Sequence, residues 1–210
     1  MYNVPHFKTA NQDEVIAFME QHPFIVLCGT NAEGKPVATH IPALIEERDG
    51  KLFLLAHIMH KQEHTKAFET NPNVLAIFSS AHTYVSAGWY ENKQVASTWN
   101  YQAVHAKGVL NFLDLQGLRS LLTRLTDHFE NDPHSPASVR KMDETYVSNM
   151  MKAIVAFEIE ITAVEHVFKL SQNRDAKSYE NIIEHLKEQD ADSKTIADEM
   201  QKRKSQIFPG

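Results

Sequence analysis

The chain has 210 residues, 42% of them hydrophobic and 23% charged. This excludes an intrinsically disordered chain, a collagen and a low-complexity linker, and no run reaches the ~18 apolar residues of a membrane span. The 21 basic residues against 27 acidic ones give a net charge of −6, a poor basis for non-specific nucleic-acid binding. The lone Cys28 excludes an internal disulfide and a Cys-rich zinc site, and Met1 to Lys8 lacks a signal-peptide profile, so a soluble, reduced, cytoplasmic protein is expected.

A first helix is expected after Thr9. Thr9-Ala10-Asn11-Gln12 has capping-box spacing, Val15, Phe18, Met19 and His22 share one face, and His22-Pro23 ends it. Phe24 to Gly29 reads as a buried strand and Asn31 to Gly34 as a turn. Pro36 to Ile45 reads as a second strand. Asp49-Gly50 then signals a hairpin into Lys51 to His57. Lys61 to Thr70 looks helical up to Asn71-Pro72, and Val74 to Ser79 and Tyr84 to Ser86 look extended.

Ser97 to Phe112, rich in aromatic and β-branched residues, reads as a long bent strand. Leu115, Leu118, Leu121, Leu122, Leu125 and Phe129 fall at helical spacing. A loop follows over Asn131 to Ser138, then a short helix over Met142 to Met151. From Val155 to Val164 apolar residues alternate at period two, the mark of a strand with one wet face. From Asp175 the tail is polar and helical, anchored by Ile182, Ile183, Leu186, Ile196 and Met200. Six or seven strands in a meander with helical decoration fit a small closed barrel. An open antiparallel sheet with helices on one face is the alternative. No βαβ alternation and no G-x-G-x-x-G supports a dinucleotide-binding fold.

Four segments hold more polar and aromatic residues than a core needs: Ala38 to Pro42, Ala56 to His64, Tyr84 to Tyr90 with Ser97 to Tyr101, and Phe168 to Arg174. Together they offer aromatic planes, hydrogen-bond donors and positive charge, the mixture that a planar anionic cofactor requires. Each has a plainer reading: Trp89 and Trp99 as packing, Asn100 and Asn173 as turn residues, Lys169 and Arg174 as solvated charges, Cys28 as an inert thiol. His57, His60 and His64 have helical spacing but lack a third ligand and an H-E-x-x-H signature, so no metal is expected; a haem site has no better support. Glu158 and Glu160 share a strand face with nothing to set their environments apart, which disfavours an acid–base pair. Signatures of hydrolases, kinases and helix-turn-helix proteins do not appear.

The blocks Met1-Tyr2-x-x-Pro5-His6-Phe7, Thr39-His40-Ile41-Pro42, Tyr84-Val85-Ser86-x-x-Trp89-Tyr90, Thr98-Trp99-Asn100-Tyr101-x-x-Val104-His105-Ala106-x-Gly108 and Lys169-Leu170-Ser171-Gln172-Asn173-Arg174 occur in this order. On them the chain resembles the FMN-binding negative transcriptional regulators of the PaiB type, over about residues 1–190. The resemblance implies a mainly β fold with helices. This is a split β-barrel of the pyridoxamine-phosphate-oxidase-like class over 1–170, with a C-terminal helical extension packed on it over 171–210. It also implies FMN as cofactor, a homodimer with flavin sites at its interface, and DNA as a partner by family likeness alone.

Thr39 and His40 are then expected to line the ring or ribityl region, and His57, His60 and Lys61 to face the phosphate. Trp89, Trp99 and Asn100 are expected to close over the flavin from across the interface, with Lys169, Ser171 and Gln172 donating near the ring. Where relatives carry Ala-Arg-x-Asn-Pro this chain reads Met59-His60-Lys61-Gln62-Glu63, which moves the phosphate-facing charge to Lys61. A flavin-dependent oxidoreductase acting on a small molecule is the alternative to a regulator.

Overall fold

A computed structural model describes residues 1–9 and 11–209 of the chain. The elements in order are α1 (Gln12–Gln21), β1 (Phe24–Thr30), β2 (Pro36–Pro42), β3 (Leu44–Arg48), β4 (Lys51–Met59), α2 (Glu63–Thr70), β5 (Asn73–Val85), β6 (Thr98–Phe112), α3 (Leu115–Glu130), α4 (Glu144–Met151), β7 (Ile154–Lys169), α5 (Ala176–Lys187) and α6 (Ala191–Ile207). No helix among the described residues is long and apolar enough to cross a membrane. Ala10, the second residue of the expected capping box, lies outside the described residues; the Asn11 side chain accepts the Asp13 amide at 3.0 Å as α1 begins. Asp114, Asp143, Asp175 and Asp190 cap α3, α4, α5 and α6 in the same manner, each carboxylate accepting an amide three residues on.

The expected strand over Pro36 to Ile45 is in fact two strands. Ala43 leaves the ladder and its amide bonds Pro23 O at 2.9 Å. The seven strands run in the order β2-β1-β5-β6-β7-β4-β3, so β2 and β3 are the two edges, yet one residue joins them. A single residue spans only about 7 Å between its neighbours, so the sheet must curl until its edges meet. Conversely, the two pieces expected near Val74 and Tyr84 form one 13-residue strand, β5. The polar stretch that hid this continuity holds Thr83, which is buried with its hydroxyl 2.8 Å from that of Ser193. Strand β7 likewise continues beyond Val164 to Lys169.

The chain divides into two units, one of Met19–Phe78 with His105–Val164, the other of Met1–Phe18, Ser79–Val104 and Glu165–Gly210. The first unit holds the closure of the sheet. In its β4–β7 ladder, Leu54 opposes Ile159 and Ala56 opposes Phe157, all four buried on one face. On the other face Leu55 and Ala156 pack under Leu118, Leu121 and Leu125 of α3 and Val147 and Met151 of α4. Gly108 lies where β6 presses on β7: an added Cβ would sit 2.5 Å from Glu160 O and from a methyl of Ile159. The Asp49-Gly50 hairpin forms as expected, both residues at positive φ (52° and 73°).

In the second unit α5 and α6 bury Tyr179, Ile182, Ile183, Leu186, Ile196 and Met200 against Val85, Tyr90 and Leu170. Each such side chain contributes about 1.5–3 kcal/mol by leaving water, which is enough to dock an otherwise polar tail.

Candidate functional site

In the second unit, period-two alternation divides the Thr98-Trp99-Asn100-Tyr101 block between two faces. Trp99 is 52% exposed. Its indole meets the ring of His82 edge-on at 5.5 Å and that of Tyr84 at 6.2 Å, both from the wet face of β5. Beside it opens a cavity of about 270 Å³ lined by Ser79, Ser80, His82, Trp99, Tyr101, Gln102 and Ala103. Asn100 points the other way and is fully buried. Its Nδ2 donates to the Met200 sulfur at 3.4 Å and its Oδ1 accepts from the Ser171 hydroxyl at 3.0 Å.

Trp89 ends a short 3-10 turn, Ala87–Trp89, whose Ala87 amide donates to the Ser97 hydroxyl at 2.9 Å and whose Gly88 amide donates to the Ser86 hydroxyl at 3.1 Å. Its ring stacks on His185 at 4.9 Å, and Asn181 donates to its carbonyl at 3.2 Å. Trp89 is therefore a half-buried anchor of α5, whereas Trp99 offers an open aromatic edge.

The Lys169 to Arg174 block is a rigid corner after β7. Ser171 is buried at φ +62°, a left-handed conformation that costs a non-glycine residue about 1–3 kcal/mol. Gln172 folds back: its Oε1 accepts the Leu170 amide at 2.7 Å and its Nε2 donates to Phe168 O at 2.5 Å. Asn100, Ser171 and Gln172 thus spend their hydrogen bonds on one another, on the Met200 sulfur and on the backbone. The corner carries two half-buried cations, Lys169 and Arg174. Lys169 Nζ donates to the Thr98 hydroxyl and, at 3.0 Å, to Trp99 O. Burial, and then the nearby charge of Arg174, lower its pKa.

In the first unit the strand separates Thr39 from His40. Thr39 opposes Leu27, which is fully buried. His40 opposes Val26 and stacks on exposed Phe24 with ring centres 6.1 Å apart. His57 opposes Ala156 on the helix-covered face of β4. Its Nδ1 is buried without a hydrogen-bond partner, and burial lowers its pKa. His60 and Lys61 are exposed in the turn after β4, Lys61 at φ +64°; the Thr65 hydroxyl closes this turn by donating to Met59 O at 2.7 Å.

Glu158 and Glu160 pair with Arg48 and Lys51, each at 2.6 Å. Among the described residues no group of three or more His, Cys, Asp or Glu is placed to hold a metal ion. His82 escaped the sequence reading and Tyr84 entered it only as part of the Tyr84 to Tyr90 segment, although alternation along β5 places both on the face of Trp99.

Within the second unit, the open indole of Trp99 stands on the strand whose Thr98 hydroxyl and Trp99 carbonyl hold the Lys169 ammonium, a pairing suited to a planar anionic molecule.

Residues 1–163 match the FMN_bind_2 family, described as "Putative FMN-binding domain". The chain is 33% identical over 209 residues to "Protease synthase and sporulation protein PAI 2" of Bacillus subtilis, covering 99% of this chain and 100% of that one. Among solved structures, a conserved hypothetical protein, Rv2991, from Mycobacterium tuberculosis superposes with a TM-score of 0.57 at 14% identity, covering 80% of this chain and 90% of that one. An FAD and haem binding protein from Mycobacterium smegmatis gives 0.56 at 16%, covering 77% and 72%. The structural likenesses establish the fold, a split barrel with C-terminal helices.

Proposed function

The chain belongs to the FMN_bind_2 family of FMN-binding domains, and from that membership we propose that it holds FMN between two copies of itself and serves a regulatory role. The family match makes it an FMN-binding split-barrel protein; the residue roles, the dimer and the regulatory role are the proposed part. The observation that carries the reading is the exposed Trp99 with its edge partners His82 and Tyr84: a soluble protein leaves such a cluster open where something covers it. When bound, FMN supplies electron transfer at its ring.

Trp99 of one copy would pack against that ring and Lys169 would donate at its polar edge. Asn100, Ser171 and Gln172 keep Lys169 in place instead of touching the ligand. His57, His60 and Lys61 of the other copy would face the phosphate, and Thr39 the ribityl chain. Trp89 would support this from its stack on His185, and His40 would lie on the contact face.

That face is built from β1, β2 and β5. Phe24, Val26 and Cys28 share it with Ala38, His40, Leu75 and Ile77, as the strand register dictates, and it stays half-exposed. An uncovered sheet face of this composition suits a second copy of the same face. The name of the Bacillus relative links that protein to protease synthesis and sporulation; a matching role for this chain, with DNA as its target and the cytoplasm as its place, follows by likeness.

Titrating FMN into the purified protein while following flavin fluorescence tests the reading. Saturable quenching, weakened about tenfold in Trp99→Ala by loss of roughly 1.4 kcal/mol of stacking and burial, supports it. Absence of quenching, or equal affinity in the variant, refutes it. Rapid bleaching of bound FMN by NADH or NADPH would mark an oxidoreductase instead of a regulator.

A further inference from the structure

Arg174 has no role in the flavin reading, and its surroundings are unusual. Its guanidinium carbon lies 4.3 Å over the centre of the Tyr90 ring. Its Nε is buried without a hydrogen-bond partner, and so is the Tyr90 hydroxyl, although Tyr90 is only 1% exposed. Leaving one such buried group unpaired costs about 1–3 kcal/mol.

The nearby carboxylates are committed elsewhere. Asp175 caps α5 through the Ser178 amide at 2.8 Å and the Ser178 hydroxyl at 2.6 Å, and Glu91 accepts from Asn181 at 3.2 Å. Among the described residues no carboxylate pairs with Arg174 or Lys169. Lys169 and Arg174 stand on either side of the corner that the Arg174 amide closes on Ser171 O at 3.0 Å, so two cations share one tight turn of chain. Lys169 makes two hydrogen bonds of the three that an ammonium can donate.

We propose that Arg174, Lys169 and the Tyr90 hydroxyl form a receptor for a phosphate monoester. Stacking over Tyr90 fixes the plane of the guanidinium and aims its fork, the geometry that grips oxyanions in a bidentate manner. Two positive charges and a hydroxyl donor match a phosphate of charge about −1.5 to −2 at pH 7 better than a carboxylate of charge −1. The corner formed by Ser171 and Asn100 holds both cations on one short stretch of chain, since the Arg174 amide bonds back to Ser171 O at 3.0 Å. The phosphate comes either from the flavin itself or from a separate phosphorylated ligand.

The test titrates inorganic phosphate into the full-length protein at constant ionic strength against chloride, with 31P NMR or calorimetry as readout. Saturable phosphate binding is expected, weakened about tenfold or more in Arg174→Gln and less in Tyr90→Phe. If Arg174→Gln fails to fold, Arg174→Lys serves, since it keeps the charge but loses the fork; weakened binding is expected there too. FMN and riboflavin are compared in parallel. If phosphate competes with FMN, and the preference for FMN over riboflavin collapses in the Arg174 variant, the receptor takes the flavin's own phosphate. If phosphate binds equally well to FMN-saturated protein, the receptor serves a second ligand. Phosphate bound no better than chloride, or bound equally by wild type and the Arg174 variant, overturns the proposal. The phosphate arm needs no flavin, so a protein that fails to bind FMN can still bind phosphate at this receptor.

Discussion

Asn100→Ala strikes the corner that presents Lys169 and Arg174. The amide is fully buried and bridges two elements, Ser171 at 3.0 Å and the Met200 sulfur of α6 at 3.4 Å. Truncation strands the buried Ser171 hydroxyl, at about 1–3 kcal/mol, and the lost contact to a sulfur adds a smaller amount. A loss of about 2–3 kcal/mol is expected, which for a chain of this size lowers Tm by roughly 4–12 °C.

A second change sharpens the point. Ser171→Gly removes the hydroxyl and relieves the strain of φ +62°. In the wild type these effects nearly cancel, because leaving the buried Asn100 Oδ1 without its donor costs about 1–3 kcal/mol and the strain relieved is of the same size. In the Asn100→Ala background the hydroxyl is already stranded, so Ser171→Gly should restore about 1–2 kcal/mol. Urea denaturation of the four proteins closes the cycle. Additive effects, or a loss below about 0.5 kcal/mol for Asn100→Ala, would refute the bridging role.

Gly108→Ala should cost about 2–4 kcal/mol or abolish soluble expression, because its new methyl meets backbone at 2.5 Å; a thermal melt within 2 °C of wild type (about 1 kcal/mol or less for a chain of this size) would contradict this. His57 is held neutral by burial, with its folded pKa below the ordinary 6.5. As pH falls below that value the unfolded chain takes up the proton first, so stability should drop through pH 6 to 5. His57→Leu should flatten that slope in urea melts while weakening FMN binding. Val26→Asp or Ile77→Asp should convert a dimer into monomers by light scattering, since both side chains lie on the half-exposed face of β1 and β5; an unchanged mass would move the interface elsewhere.

Much of the fold was legible from periodicity and punctuation. The anchors of α5 and α6, the Asp49-Gly50 hairpin and the alternation of β7 each follow from local chemistry that the tertiary structure does not override. The break at Ala43 was not legible, because Pro42 and Leu44 are both strand-compatible and only closure of the sheet makes a corner there. The join across Ala81 to Thr83 was missed because its buried polar group is paired to a residue 110 positions away.

The site was legible in outline only. Sequence blocks point to Thr-Trp-Asn-Tyr and Lys-Leu-Ser-Gln-Asn-Arg as units, but the pleat sends Trp99 outward and Asn100 inward. Half of each block therefore serves the scaffold. Arg174 reads as a solvated charge until its place over Tyr90 is known.

A crystal structure of the protein grown with FMN tests the central claim most directly. The flavin ring should lie against Trp99, with His57 and Lys61 of the partner copy toward its phosphate end, or with Arg174 there if the receptor takes the flavin's own phosphate. A ring bound away from Trp99, or held by a single chain, would contradict the account.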